Sequence, residues 1–278
     1  MKSKSIEDRI ALNNGIEIPQ FGLGVFLAKD GKEVYKAVAH ALQAGYRLID
    51  TAAIYKNEPS VGKAIRESNI AREDIFLTTK LWNSRQGDYK QVAKGFNDSL
   101  QRLGLEYVDL YLVHWAVKGK YEDSWKAMEE LYLEGKIKSI GVSNFQVHHL
   151  ESILEKSQIV PAVNQVELHP FLQQRQLLNF CNQHHILVEA WRPILKGEAD
   201  KVAELVEIGK KYNKSGVQVT LRWNLQSGII TIPKSVNPDR ITHNADLFDF
   251  ELSHEDMDII SSLNQDKRFG PDPDNFDF

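Results

Sequence analysis

Between Tyr46 and Trp82 the chain reads "YRLIDTAAIYKNEPSVGKAIRESNIAREDIFLTTKLW". "YRLIDTA" is an apolar run of strand length. "EPSVGKAIRES" puts Val61 and Ile65 on one helical face, and "IFLTTKLW" is a second, nearly continuous apolar run. Strands buried on both faces look like this, and strand, helix, strand is the repeating unit of a parallel sheet. Three polar residues interrupt the unit. Asp50 ends the first strand, Lys80 ends the second, and Tyr55 stands in the loop after the first. An Asp at a strand exit is often only a helix cap, so the rest of the chain has to decide its role.

The same rhythm extends in both directions. Before it, "RIALNNGIEI" carries an Asn14-Gly15 turn between two β-like runs, a hairpin signal. "QFGLGV" follows as a first strand. "EVYKAVAHALQAG" then places Val34, Val38, Ala41 and Leu42 on one helical face and stops at Gly45. After Trp82, helices "YKQVAKGFNDSLQRLG", "YEDSWKAMEELYLEGK", "QVHHLESILEKS" and "QQRQLLNFCNQH" alternate with strands "YVDLYLVHW", "IKSIGVSN", "AVNQVELHP" and "ILVEAWRP". A longer helical region from Asp200 to Gln226 leads to an eighth strand, "GIITIPKS". Two further helical patterns, "PDRITHNADLF" and "SHEDMDIISSLN", precede an aperiodic tail. Eight strands alternating with helices over about 250 residues predict a (β/α)8 TIM barrel. It would have an N-terminal β-hairpin plug and extra C-terminal helices, in one domain over residues 1–278. A doubly wound open sheet would carry a Gly-rich dinucleotide turn. "FGLGVFLA" has Gly22 and Gly24 but Leu27 where the third glycine belongs.

Bulk composition narrows the function classes. Net charge is −4, from 34 basic and 38 acidic residues, with no basic stripe for nucleic acid and no polybasic segment for a membrane surface. The start, "MKSKSIEDRI", lacks a signal-peptide core, and no apolar run reaches spanning length. A single cysteine, Cys181, predicts a buried, inert thiol, and the expected compartment is the cytoplasm. No metal is expected. The first strand offers no His-x-His pair, and HExxH is absent, which argues against a metal-dependent barrel hydrolase.

Active sites of such barrels form at the C-terminal strand ends. Those ends carry, in order, Asp50, Lys80, His114 with Trp115, Ser143 with Asn144, Gln165 with Glu167 and His169, Trp191, and Lys234. Asp, Lys and His flush with three successive apolar runs are costly to bury unless paired. Tyr55, on the loop above Asp50, completes a chemical reading. A phenol is a sluggish acid, a nearby Lys80 cation favours its ionised form, and Asp50 holds that cation in place. His114 then orients a substrate oxygen. An acid without a nucleophile or a metal suits carbonyl reduction, with hydride from a cofactor.

These residues make the chain resemble the aldo-keto reductases, in their bacterial glyoxal/methylglyoxal and 2,5-diketogluconate reductase branch. The likeness runs through "FGLGVF", "YRLIDTAAIYKNE", "LTTKLWN", "DLYLVHW", "GKIKSIGVSNF", "NQVELHP", "LVEAW" and "IPKSVNPDRITHNADLFDFELS". It implies a catalytic tetrad of Asp50, Tyr55, Lys80 and His114. It also implies a nicotinamide carboxamide held by Ser143, Asn144 and Gln165, with Trp191 stacked on the ring. Lys234, Ser235 and Arg240 would grip the adenosine 2′-phosphate, with Asn244 near the adenine and Val236 as a further cofactor-binding residue. A basic loop entering a helix is itself a phosphate site, and its two cations argue for NADP(H) over NAD(H). Arg192 stands where the family usually has Ser or Gly, and the expectation is that it either contacts the pyrophosphate or turns out of the site. His243 replaces the usual Glu or Gln.

Phe26, Trp82 and Trp115 are candidate pocket walls. Short loops, "WAVKGKYED" and "RPILKGEAD", suggest an open pocket for small aldehydes, α-ketoaldehydes and diketones. His169 and Glu167 read as structural. His148, His149, His184 and His185 read as solvated helix residues, and "SHEDMD" as an exposed, capped face. The expected partner is a small carbonyl substrate, and a monomer is expected from the family. A barrel that binds NADPH without turnover, as a sensor, is the second reading.

Overall fold

The structure, a computed structural model, describes residues 3–276. The barrel begins at β3, Gly22–Gly24, and continues through β4 (Leu48–Asp50), β5 (Phe76–Leu81), β6 (Leu110–Val113), β7 (Ile140–Ser143), β8 (Val163–Glu167), β9 (Leu187–Trp191) and β10 (Ile230–Thr231). All neighbours are parallel and in sequence order. The ring closes where Thr231 N donates to Gln20 O at 3.0 Å and Gly24 N donates to Pro233 O at 3.2 Å. The expected (β/α)8 fold is therefore present. "GLG" serves as its first strand: a Cβ on Gly22 would lie 2.5 Å from Leu48 Cγ, so only glycine permits that approach.

Strand periodicity explains why chemistry collects at one end. Inward-facing rows run Leu48–Asp50, Phe76–Thr78–Lys80 and Leu110–Leu112–His114, apolar at the bottom and polar at the top. Leu48, Phe76, Leu110, Leu112, Val163 and Ile230 form an interior core joined from below by Leu12 and Ile18. Leu12 lies in the turn between β1 (Arg9–Ala11) and β2 (Glu17–Pro19), and Ile18 lies in β2, so the hairpin plugs the barrel as expected. A second, larger core fills the space between barrel and helices. Helix α3, Tyr89–Leu103, shows how local sequence sets its limits: Asp88 and Gln91 form a capping box, and Gly104 ends it at φ 62°.

Some expectations change. The helical region before β10 is two helices, α7 (Ala203–Tyr212) and α8 (Gly216–Gln226). Asn213 breaks it at φ 56°, and Ser215 caps the second helix. His149 is buried, not solvated: its Nδ1 accepts from Gln146 N at 3.1 Å and caps α5, Val147–Leu154. His184 and His185 lie past the end of α6, Arg175–Gln183. Asp256, within α10 (His254–Ser262), is buried and accepts from Lys211 and Tyr212, so that face is not wholly exposed. Cys181 is buried, and burial pushes its thiol up to about 11, as an inert thiol requires. Among the described residues no helix is long and apolar enough to cross a membrane. The expectations for the first two and last two residues lie outside the described part.

Candidate active site

Lys80 Nζ donates to Asp50 Oδ2 at 2.6 Å and Oδ1 at 2.7 Å, to Thr51 O at 2.9 Å and to Tyr55 Oη at 3.5 Å. Burial pushes the ammonium down. The Asp50 charge, with the Asp50 hydrogen bond and the charges of Tyr55 and Glu189 added, outweighs this, so Lys80 stays a cation above its ordinary range. The effect on Tyr55 corrects the sequence reading. Burial pushes the phenol up, Lys80 only partly opposes it, and Asp50 adds to the rise. Burial outweighs the Lys80 charge, so Tyr55 is kept protonated rather than drawn toward phenolate. A phenol that keeps its proton until a stronger acceptor arrives can still act as a donor.

His114 stands beside this group. Its ring meets Tyr55 edge-on at 5.8 Å and Trp82 at 5.2 Å between centroids. Burial and then the Lys80 charge hold it well below its ordinary range, so the imidazole is neutral. All four residues of the expected tetrad meet at the top of the barrel.

Ser143, Asn144, Gln165 and Trp191 form a connected floor. Asn144, in the left-handed region at φ 62°, donates through Nδ2 to His114 O at 3.0 Å and Ser143 Oγ at 3.1 Å. Its Oδ1 accepts from Trp191 Nε1 at 2.9 Å. Gln165 Nε2 donates to Asp50 Oδ2 at 2.8 Å and to Glu189 Oε1 at 2.6 Å. A cavity of about 920 Å³ opens above and reaches Lys234, Ser235, Val236, Arg240, His243 and Asn244. Asn237 caps α9, Pro238–Ala245, at that end, accepting from Arg240 N at 3.0 Å. Neither Lys234 nor Arg240 has an acidic partner among the described residues. Two unpaired cations at a helix N-terminus form a ready anion site.

Arg192, at φ 53°, lies on the cavity wall with its guanidinium carbon 5.2 Å over the Trp191 ring. Phe26 packs on Tyr55 at 5.0 Å, and Trp82 and Trp115 line the same mouth. The tail crosses over it. Glu167 Oε1 accepts from Phe269 N at 2.8 Å and Gly270 N at 3.1 Å, and Phe276 packs on Trp115 at 4.8 Å. Sequence reasoning missed these tail contacts, because "QDKRFGPDPDNF" has no period to read. Glu189 was missed too, although an acid inside the apolar run "LVEAW" was the available signal. Among the described residues, His148, His149 and Asp274 lie close enough to share an ion. His149 Nδ1 already accepts its cap bond, so its Nε2 carries the proton and lacks a lone pair for a metal.

The sequence matches the aldo/keto reductase family over residues 20–265. It is 54% identical over 274 residues, covering 99% of each chain, to a glyoxal reductase of Bacillus subtilis. To the methylglyoxal reductase DkgA of Escherichia coli it is 47% identical over 271 residues, covering 96% of this chain and 97% of the relative. A crystal structure of a Gox0644 mutant in complex with NADPH superposes with a TM-score of 0.93 at 42% identity, covering 98% of this chain and 99% of the other.

Proposed function

The chain belongs to the aldo/keto reductase family, and from that premise we propose that it reduces small aldehydes and α-ketoaldehydes to alcohols with NADPH. The observation that carries this reading is the expected tetrad opening onto the cavity that reaches Lys234 and Arg240, neither with an acidic partner among the described residues. The residues suit the cofactor. Lys234, Ser235, Val236 and Arg240 would hold the 2′-phosphate and Asn244 the adenine. Asn144 and Gln165 would hold the carboxamide beside Ser143, and Trp191 would flank the nicotinamide. Bound NADPH supplies the hydride.

The protein's own residues do the rest. His114, neutral, donates to the substrate oxygen and fixes its direction. Tyr55 gives its proton to that oxygen as negative charge develops there, when the oxygen becomes a stronger base than the phenolate left behind. Lys80 then stabilises that phenolate, and Asp50 keeps Lys80 charged and placed. A positioned proton donor contributes roughly 10²–10⁴-fold in rate. Phe26, Trp82 and Trp115 offer flat apolar walls, and Phe276 of the tail narrows the mouth at Trp115, which suits a small carbonyl compound. NADPH consumption with methylglyoxal tests the reading. Turnover is expected, whereas NADPH binding without turnover on any small aldehyde would favour a sensor.

A further inference from the structure

Glu189 is fully buried beneath the site, paired in register with Gln165 across β8 and β9. It is a titratable group that the reaction described above does not use. Its Oε1 accepts from Gln165 Nε2 at 2.6 Å, while Oε2 has no partner. The same Nε2 donates to Asp50 Oδ2 at 2.8 Å. Both acceptors therefore lie on one side of the Gln165 amide. The amide has one NH2 group and one carbonyl; the Asp50 carboxylate can only accept and so demands the NH2, and Glu189 Oε1 accepts from the same group. The carbonyl oxygen Oε1 is left to face the cavity that Gln165 lines.

We propose that Glu189 is a positioning residue for cofactor recognition: with Asp50 it locks the Gln165 amide so that Oε1 points up as an acceptor for the NH2 of the nicotinamide carboxamide. The inference rests on the reading that nicotinamide lies there. Asp50 alone gives one contact to a group that can still rotate or flip, because its acceptance from Lys80 is shared. The second contact from β9 removes that freedom. Glu189 therefore acts through Gln165 and touches no reacting atom. The burial that raises a carboxylate's pKa also suits this role. A protonated Glu189 keeps one oxygen as acceptor without adding a second negative charge beside Asp50.

The test compares binding of NADP⁺ with binding of its 3-acetylpyridine analogue, which lacks the carboxamide NH2, by quenching of protein fluorescence. Wild type is expected to prefer NADP⁺ by roughly tenfold, the scale of one well-made buried hydrogen bond. Glu189→Leu should lose most of that preference, and Glu189→Gln, which keeps an acceptor oxygen, should retain it. Thermal unfolding of each variant checks that the fold persists, and Glu189→Met replaces the Leu variant if that one does not fold. An unchanged preference in the folded apolar variant overturns the proposal. Failure of wild type to bind NADP⁺ at all overturns the nicotinamide reading instead.

Discussion

The Lys80 ammonium lies 2.6 Å from the Asp50 carboxylate, with 0% and 4% of the two side chains exposed. So complete a burial makes each charge depend on the other. Asp50→Asn leaves the Lys80 cation without its counter-charge, and breaking a buried pair typically costs about 3–5 kcal/mol. Urea unfolding is expected to show a loss of that order. A stability equal to wild type would mean that the pair is not held as two charges.

Glu189 gives stability a pH dependence. Burial, and then the Asp50 charge, push its carboxyl from 4.5 up to about 8. Lys80 and Gln165 oppose that rise without cancelling it. The folded state thus holds a proton that the unfolded chain releases. This contribution is full below the unfolded value and is lost as pH rises through about 8. Glu189→Gln removes it, so the variant's stability should vary less with pH across that interval than wild type's. Parallel curves of unfolding free energy against pH would contradict this.

Arg192 stacks on Trp191, with one guanidinium nitrogen, Nη1, buried and unpartnered. It stays on the cavity wall beneath the tail rather than turning out of the site, which leaves the expected pyrophosphate contact as a proposal. Arg192→Ser removes a cation–π contact worth about 0.5–1 kcal/mol. NADPH affinity should fall by roughly two- to fivefold through a looser Trp191. A rise in affinity would show that the cation obstructs the cofactor.

Glu167 anchors the tail through two backbone N–H groups, and its carboxylate is held below its ordinary value. Burial opposes that shift, and the hydrogen bonds from His169, Phe269 and Gly270 overcome it. Glu167→Gln should loosen Phe276 from Trp115. The expected result is a higher KM for methylglyoxal with kcat little changed, together with faster proteolysis near residue 270. An equal fall in kcat and kcat/KM would place Glu167 in the chemistry instead.

The barrel was legible because its strands are buried on both faces and so read as continuous apolar runs. The meeting of Asp50, Lys80 and His114 was legible because they interrupt those runs at the same height. Two features were hidden for physical reasons. The direction of the Tyr55 shift is set first by how deeply the phenol is buried, against which Lys80 only partly works, and depth of burial is not readable from spacing. The tail is placed by backbone N–H groups meeting Glu167, and backbone donors leave no trace in sequence. His149 was misread because helical position alone does not distinguish a capping imidazole from a solvated one.

The most direct test of the central claim is NADPH consumption with methylglyoxal by wild type and Tyr55→Phe, with NADPH affinity measured for both. The phenylalanine keeps the ring against Phe26 and His114 but has no proton to give. Turnover should fall by roughly 10²–10⁴-fold with NADPH affinity retained. Turnover within a factor of a few of wild type would show that Tyr55 is not the proton donor.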